Sequence, residues 1–275
     1  MTILDEISQD LIESCIETVR QDHPIVGAVT GVLANDFVAR SQNAIGAGSA
    51  IVNMPDEAEA MIDKTDAFYI NVGTILPIFE DTIPQAGRIL AKSGKTWLLD
   101  PVGIGLGSLR TRLLRQFKGY QPTIIKGRPA EILSLANLWS FDGGRPSDSL
   151  SPQPPAEEAL AAGVAIADHT GGVVVIIGEK TLIASSDQVY CIERKAHYLD
   201  KLTGIHSILG GLISAYAGVV DPLPAALVAC LVLEEAGNQA EQVSEGIGSF
   251  ELKLIDALEK IDPNAVSQYP FTLKD

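Results

Sequence analysis

Cysteine is scarce in this sequence. Three residues, Cys15, Cys191 and Cys230, stand far apart, and no two share CxxC spacing. An odd, scattered set excludes a disulfide framework and a structural zinc site, and it suits a reducing compartment. Long hydrophobic runs are missing too: no uninterrupted apolar stretch reaches the ~18 residues that span a bilayer. The opening MTILDEISQDLIES carries acids and lacks an apolar core of signal-peptide length, so a cytoplasmic location is expected. Bases are few, 20 Lys and Arg against 35 Asp and Glu, for a formal charge of −15. So negative a chain repels phosphate backbones and anionic lipids, which argues against nucleic-acid and membrane partners. Any phosphate site must then rest on local features.

What is present suits one α/β domain over residues 1–275, with 46% hydrophobic and 20% charged residues. Apolar runs at Ala67–Val72, Thr96–Leu99, Pro122–Ile125 and Val173–Ile177 read as strands of a buried parallel sheet. Helical stretches at Pro77–Lys92, Ser108–Lys118 and Ala156–His169 alternate with them, which predicts right-handed crossovers and helices on both faces. Residues 3–20 read as an amphipathic helix with Ile3, Ile7, Leu11 and Ile12 on one side. Thr181–Glu193 predicts an antiparallel hairpin at a sheet edge, and Gly143–Pro155 a surface loop. From residue 206 the chain turns helical. Ile208–Val220 is apolar nearly all round, and Gly210-Gly211 inside it signals a close neighbour. Further helices are expected at 223–240 and 250–260.

Three glycine turns compete as phosphate sites. Gly94-Lys95-Thr96 ends like a P-loop, but Ile89 stands where its first glycine belongs, and it precedes a strand. Gly103-Ile104-Gly105-Leu106-Gly107 follows a strand, but Ser108 stands at the third glycine of a dinucleotide fingerprint, which makes a nicotinamide enzyme a weak alternative. Leu202–Ser207 opens the apolar helix, where backbone N–H groups and the helix dipole favour an anion. Taken alone, that turn is better read as a plain helix cap by Thr203 or Ser207. His23, His169 and His197 lack metal-ligand spacing.

Several stretches, in order along the chain, resemble the hydroxyethylthiazole kinase family: PIVGAVT (24–30), AIGA (44–47), INVGT (70–74), DPVGIG (100–105) with Arg110, IKGRPAEI (125–132), IGE (177–179), LTG (202–204) and GIGSF (246–250). The resemblance implies a ribokinase-like three-layer α/β/α sandwich with a mostly parallel sheet. It also implies ATP and Mg²⁺ as cofactors, a small-molecule alcohol as substrate, and a homotrimer with active sites between subunits.

Residue by residue, it implies that Asp100 and Glu131 serve Mg²⁺, two carboxylates that leave the ion room for water and phosphate oxygens. Lys126 stands where the family usually has arginine near the ATP phosphates, and Arg128 where it has asparagine. Gly178 fits the nucleotide-side strand end, whereas Ile177 replaces a threonine there. On the substrate side Gly31 replaces asparagine, Ile51 aligns with a methionine, and Gly204 belongs to the anion turn. The turn TGTGC reads Thr203-Gly204-Ile205-His206-Ser207, so Ser207 replaces the cysteine at the position of the base and His206 fills a glycine position. A serine hydroxyl is a poor base at neutral pH, whereas the ordinary imidazole value of ~6.5 suits the task. The expected activity is phosphorylation of hydroxyethylthiazole or a related alcohol, with Ser207 or His206 taking the proton. The alternative is a nucleotide-binding paralogue that has lost catalysis and acts as a sensor or structural trimer.

Overall fold

The computed structural model describes residues 7–32, 34–148, 150 and 152–274. Nine strands form one sheet: β1 (Ile25–Val29), β2 (Gly48–Ile51), β3 (Ala67–Asn71), β4 (Thr96–Asp100), β5 (Ile124–Gly127), β6 (Val173–Ile177), β7 (Lys180–Ala184), β8 (Val189–Glu193) and β9 (Phe271–Lys274). Their order is β2-β1-β3-β4-β5-β6-β7-β8-β9. β2 through β6 run parallel, and β7, β8 and β9 are antiparallel.

Apart from the half-buried edge strand β2, the parallel strands are buried on both faces, and their side chains alternate between two cores with the period of two that a pleated strand imposes. Leu98 and Ile124 enter one core, and Leu99 and Ile125 the other. The first core is shared with α1 (Gln9–Asp22), α2 (Asn35–Ala44), α8 (Ile205–Ala217), α9 (Pro222–Gln242), α10 (Ile247–Glu259) and α11 (Pro263–Ser267). The second is shared with α3 (Pro55–Lys64), α4 (Phe79–Ser93), α5 (Ser108–Tyr120), α6 (Pro129–Trp139) and α7 (Leu160–Thr170). This is the expected three-layer sandwich. Among the described residues no helix is long and apolar enough to cross a membrane.

Several expectations shift. The helix expected over 3–20 is α1, Gln9–Asp22, and its buried face is Ile12, Cys15, Ile16 and Val19, with Leu11 exposed. Ile3 lies outside the described residues. The hairpin is present as β7–β8, but β9 pairs with β8 and takes the edge. Gly94-Lys95-Thr96, set aside as a phosphate loop on its sequence, is a helix end: Gly94 caps α4 and the Lys95 ammonium donates to the Thr65 carbonyl. His23 caps α1 and meets the Gly46 carbonyl, while His169 meets the Lys118 carbonyl and packs on Phe141.

The glycine pair in α8 has the close neighbours its sequence announced. A Cβ on Gly210 would lie 2.5 Å from the Tyr69 ring and hydroxyl, and one on Gly211 2.7 Å from Val38. Gly210→Ala gains up to ~1 kcal/mol of helix propensity. The buried ring cannot yield, so overpacking wins and a net loss of about 1–3 kcal/mol is expected in urea unfolding. A more stable variant would show that Tyr69 has room to move.

Candidate active site

The chain reverses direction across the sheet between β2 and β3, on either side of β1, and in open α/β sheets ligands gather outside the carboxyl ends of strands near such a reversal. Asn71, Asp100 and Lys126 sit at or near the carboxyl ends of β3, β4 and β5. Facing them is the start of α8, where Gly204 adopts φ +88°, a left-handed conformation that glycine tolerates best. A Cβ there would meet only Ala34, at 3.9 Å, so the turn opens onto free space.

Asp100 is completely buried. Its Oδ2 accepts from Lys126 Nζ at 2.6 Å, from Tyr69 Oη at 3.0 Å and from Asn71 Nδ2 at 3.0 Å. Its Oδ1 is buried and has no hydrogen-bond partner among the described residues. Burial pushes the carboxyl up to about 6; the Lys126 ammonium opposes that rise, and Glu131 adds to it. Lys126 is itself only 1% exposed, so both partners of the pair are buried.

Glu131, in the first turn of α6, is also buried. Its Oε2 accepts the Arg128 backbone N–H at 2.9 Å, and its Oε1 lies 3.3 Å from the Arg128 guanidinium. It therefore caps its helix while presenting a carboxylate to a cavity of about 180 Å³, lined also by Val102, Lys126, Arg128, Gly204, His206 and Ser207. A buried carboxylate oxygen without a partner, beside a second buried acid, fits a hard divalent cation with oxygen ligands. No group of three or more His, Cys, Asp or Glu among the described residues could enclose a metal.

A second cleft, of about 300 Å³, adjoins the first through Arg128 and His206. Ile177, Gly178 and Arg194 form one wall; Gln153, Pro154 and Pro155, from the breaker-rich loop, form another. Arg194 is held by Glu234 at 2.8 Å and by Asp200 at 2.5 Å, and it donates to the Gly178 carbonyl at 3.2 Å. Lys126 borders the smaller, acid-lined cavity and not this cleft, and its nearest anion is Asp100.

His206 stands where the two spaces meet. Burial drives its imidazole down to about 3, helped by the positive charges of Lys126, Arg194 and Arg128. At neutral pH it is uncharged and weakly basic, so the expectation that rested on an ordinary imidazole loses its physical ground. Gly31 and Ile51 border neither space. Gly31 is buried after β1, where a Cβ would press on Thr74 at 2.9 Å, and Ile51 ends β2, half-buried.

Reasoning from sequence alone passed over Tyr69, Asn71, Arg194 and Gln153. For Asn71 a signal existed: it is the polar residue closing the apolar run AFYIN, in register with Asp100. Arg110 shows a similar hidden role. Its guanidinium donates to the Val72, Gly73 and Leu106 carbonyls at 2.8–2.9 Å, tying together the loops after β3 and β4. Gly103 is needed above it, since a Cβ there would fall 2.9 Å from that guanidinium, at φ +77°.

A three-layer sandwich with one buried acid at a strand end and a second in the first turn of the following helix, opposite a glycine-opened helix, defines a ribokinase-like protein. A ribokinase-like superfamily protein from Enterococcus faecalis shares the fold at TM-score 0.63 and 13% identity, covering 92% of this chain and 94% of that one. The sequence matches the hydroxyethylthiazole kinase family over residues 16–264, and the chain belongs to that family. Hydroxyethylthiazole kinase from Bifidobacterium longum is 32% identical over 96% of this chain and 91% of its own length. The structure of the hydroxyethylthiazole kinase protein from Pyrococcus horikoshii superposes with TM-score 0.87 at 25% identity, covering 97% of this chain and all of that one.

Proposed function

We propose that this protein transfers the terminal phosphoryl group of ATP, with Mg²⁺, to the hydroxyl of 4-methyl-5-(2-hydroxyethyl)thiazole or a small alcohol of that shape. The observation that carries the reading is Asp100, a buried carboxylate whose second oxygen lacks a hydrogen-bond partner, across from the start of α8. Family membership and the two adjoining cavities support it.

In this reading the 300 Å³ cleft takes the nucleotide against Ile177 and Gly178, and its phosphates extend past Arg128 toward Lys126. Asp100 and Glu131 would hold Mg²⁺, which when bound draws charge from the phosphate oxygens. The turn from Gly204 to Ser207 offers N–H groups and the positive end of the α8 dipole to the group in flight. Gly31 and Ile51 belong to the acceptor pocket, and Ile51 on edge strand β2 suits completion by a neighbouring subunit of a homotrimer. We place the enzyme in the cytoplasm.

Neither Ser207 nor His206 is a strong base here. Phosphoryl transfer through a loose transition state depends mainly on positioning and electrostatics, and base assistance is worth about 10²–10⁴-fold. Turnover is therefore expected at a reduced rate.

A coupled ADP-release assay with the thiazole alcohol, ATP and Mg²⁺ tests the proposal, and turnover above background is the expected result. A second reading, a nucleotide-binding paralogue without catalysis, draws on the weak basicity of His206 and the hydroxyl at Ser207. It requires that wild type bind ATP without turnover, and that Ser207→Cys combined with His206→Gly create activity. Absence of ATP binding with Mg²⁺ present would remove both readings.

A further inference from the structure

Asn71 has a fixed orientation. Its Oδ1 accepts the Gly73 backbone N–H at 2.8 Å, so its amide NH₂ must face the other way. There Nδ2 lies 2.9 Å from Tyr69 Oη, 3.0 Å from Asp100 Oδ2 and 3.3 Å from Ser207 Oγ. Two hydrogens thus serve three acceptors, on three separate elements: β3, β4 and α8.

The consequence for each acceptor differs. Tyr69, fully buried, gives its own hydrogen to Asp100 Oδ2 and receives one from Asn71. Asp100 Oδ2 is saturated by three donors, which leaves Oδ1 as the free oxygen. Ser207 Oγ, bordering the cavity, receives an N–H, so its own hydrogen can be donated, either to the neighbouring Tyr69 oxygen or into the cavity.

From this geometry we propose that Asn71 is a positioning residue for phosphoryl transfer: its amide holds Ser207 as a hydrogen-bond donor and, by occupying Oδ2 of Asp100, leaves Oδ1 as the oxygen that would serve the cation, setting both halves of the site through one side chain. The proposal rests on the kinase reading above. It assigns to the Ser207 hydroxyl donation to an oxygen of the acceptor or of the phosphoryl group, in place of proton abstraction.

The test uses the intact protein and two readouts. Binding of Mn²⁺ with ADP, followed by electron paramagnetic resonance, needs no turnover. Asn71→Ala is expected to weaken it about tenfold, the scale of losing a hydrogen bond to a charged group. Ser207→Ala should leave it within twofold of wild type, and Asn71→Ser, which restores a small donor, should recover part of the loss. In the ADP-release assay, Asn71→Ala should lower kcat at least tenfold with little change in KM. Because part of that effect passes through Ser207, the double variant Asn71→Ala/Ser207→Ala should fall short of the product of the single effects.

Unchanged Mn²⁺·ADP affinity in a folded Asn71→Ala, or strict multiplicativity in kcat, would overturn the proposal. If Asn71→Ala fails to fold, Asn71→Ser carries the same two measurements, and wild-type values for it would be equally fatal. Failure of wild type to bind Mn²⁺·ADP would instead strike the kinase reading itself, and this inference with it.

Discussion

Asp100→Asn should lower kcat by about 10²–10³-fold, the scale on which removal of one preorganised electrostatic group is felt. Asparagine keeps the shape but loses the charge, so the unpartnered Oδ1 becomes a poor cation ligand and Lys126 loses its counter-ion. The effect should appear in kcat and in the Mg²⁺ requirement together, and a variant within threefold of wild type would remove Asp100 from the chemistry. The same residue sets a pH signature. With its carboxyl held at about 6, the anion proposed to hold the cation is lost as pH falls through 6 in the unliganded protein, so wild-type kcat/KM should drop there, well above ordinary carboxylates. For stability the sign is opposite. The folded-state value lies above the unfolded ~3.9, so this group's stabilising contribution is complete below pH ~3.9 and is lost as pH rises through about 6. Equilibrium unfolding of the two proteins between pH 4 and 7 should show that opposing slope in wild type and its absence in Asp100→Asn.

Lys126→Met is expected to cost about 3–5 kcal/mol, because it leaves a fully buried carboxylate without its cation. In a chain of this size that corresponds to a Tm lower by roughly 10 °C. Loss of the ammonium also removes the influence that holds Asp100 down against burial, so the acid limb of the rate profile should move upward from 6. Calorimetry and a pH–rate profile read the two effects separately. The double variant Lys126→Met/Asp100→Asn should be less destabilised than the two single losses added, since the second substitution removes the stranded charge. A single variant as stable as wild type would mean that water reaches the pair.

The architecture was legible wherever local chemistry and final environment agree. Val173–Ile177 is an unbroken apolar run, and it is β6 residue for residue, because a strand buried on both faces needs no polar alternation. Gly210-Gly211 signalled close packing, because only a crowded surface repays two glycines in a helix. Three strands escaped notice for reasons equally local. β1 is interrupted by Gly27, whose Cβ would strike the Phe68 ring at 2.6 Å; β2 is four half-buried residues; and β9 is an edge strand with Thr272 and Leu273 exposed. The first turn expected of the helix at Ala156–His169 is a 3-10 turn, Ala156–Ala159, before α7 begins.

The site divides along the same line. Asp100, Glu131 and the turn at Gly204 could be singled out from the sequence because each lies inside a stretch that resembles the family's motifs: DPVGIG, IKGRPAEI and LTG. His206 could not be judged there. Its imidazole is ordinary until burial and three cations, from residues 126, 128 and 194, make the proton too costly to hold. Asn71 announced itself only as the polar end of an apolar run, since its meaning lies in contacts to Asp100 and Ser207, 29 and 136 residues away. The sequence by itself determined the alternation of strands and helices, their two-sided burial, and the residue types present at the strand ends. Only the tertiary structure decided which of those groups are charged, which oxygen is left without a partner, and which hydroxyl can donate. Periodicity is carried by neighbours along the chain, whereas protonation and hydrogen-bond direction depend on the distance to charges and donors that folding alone brings near.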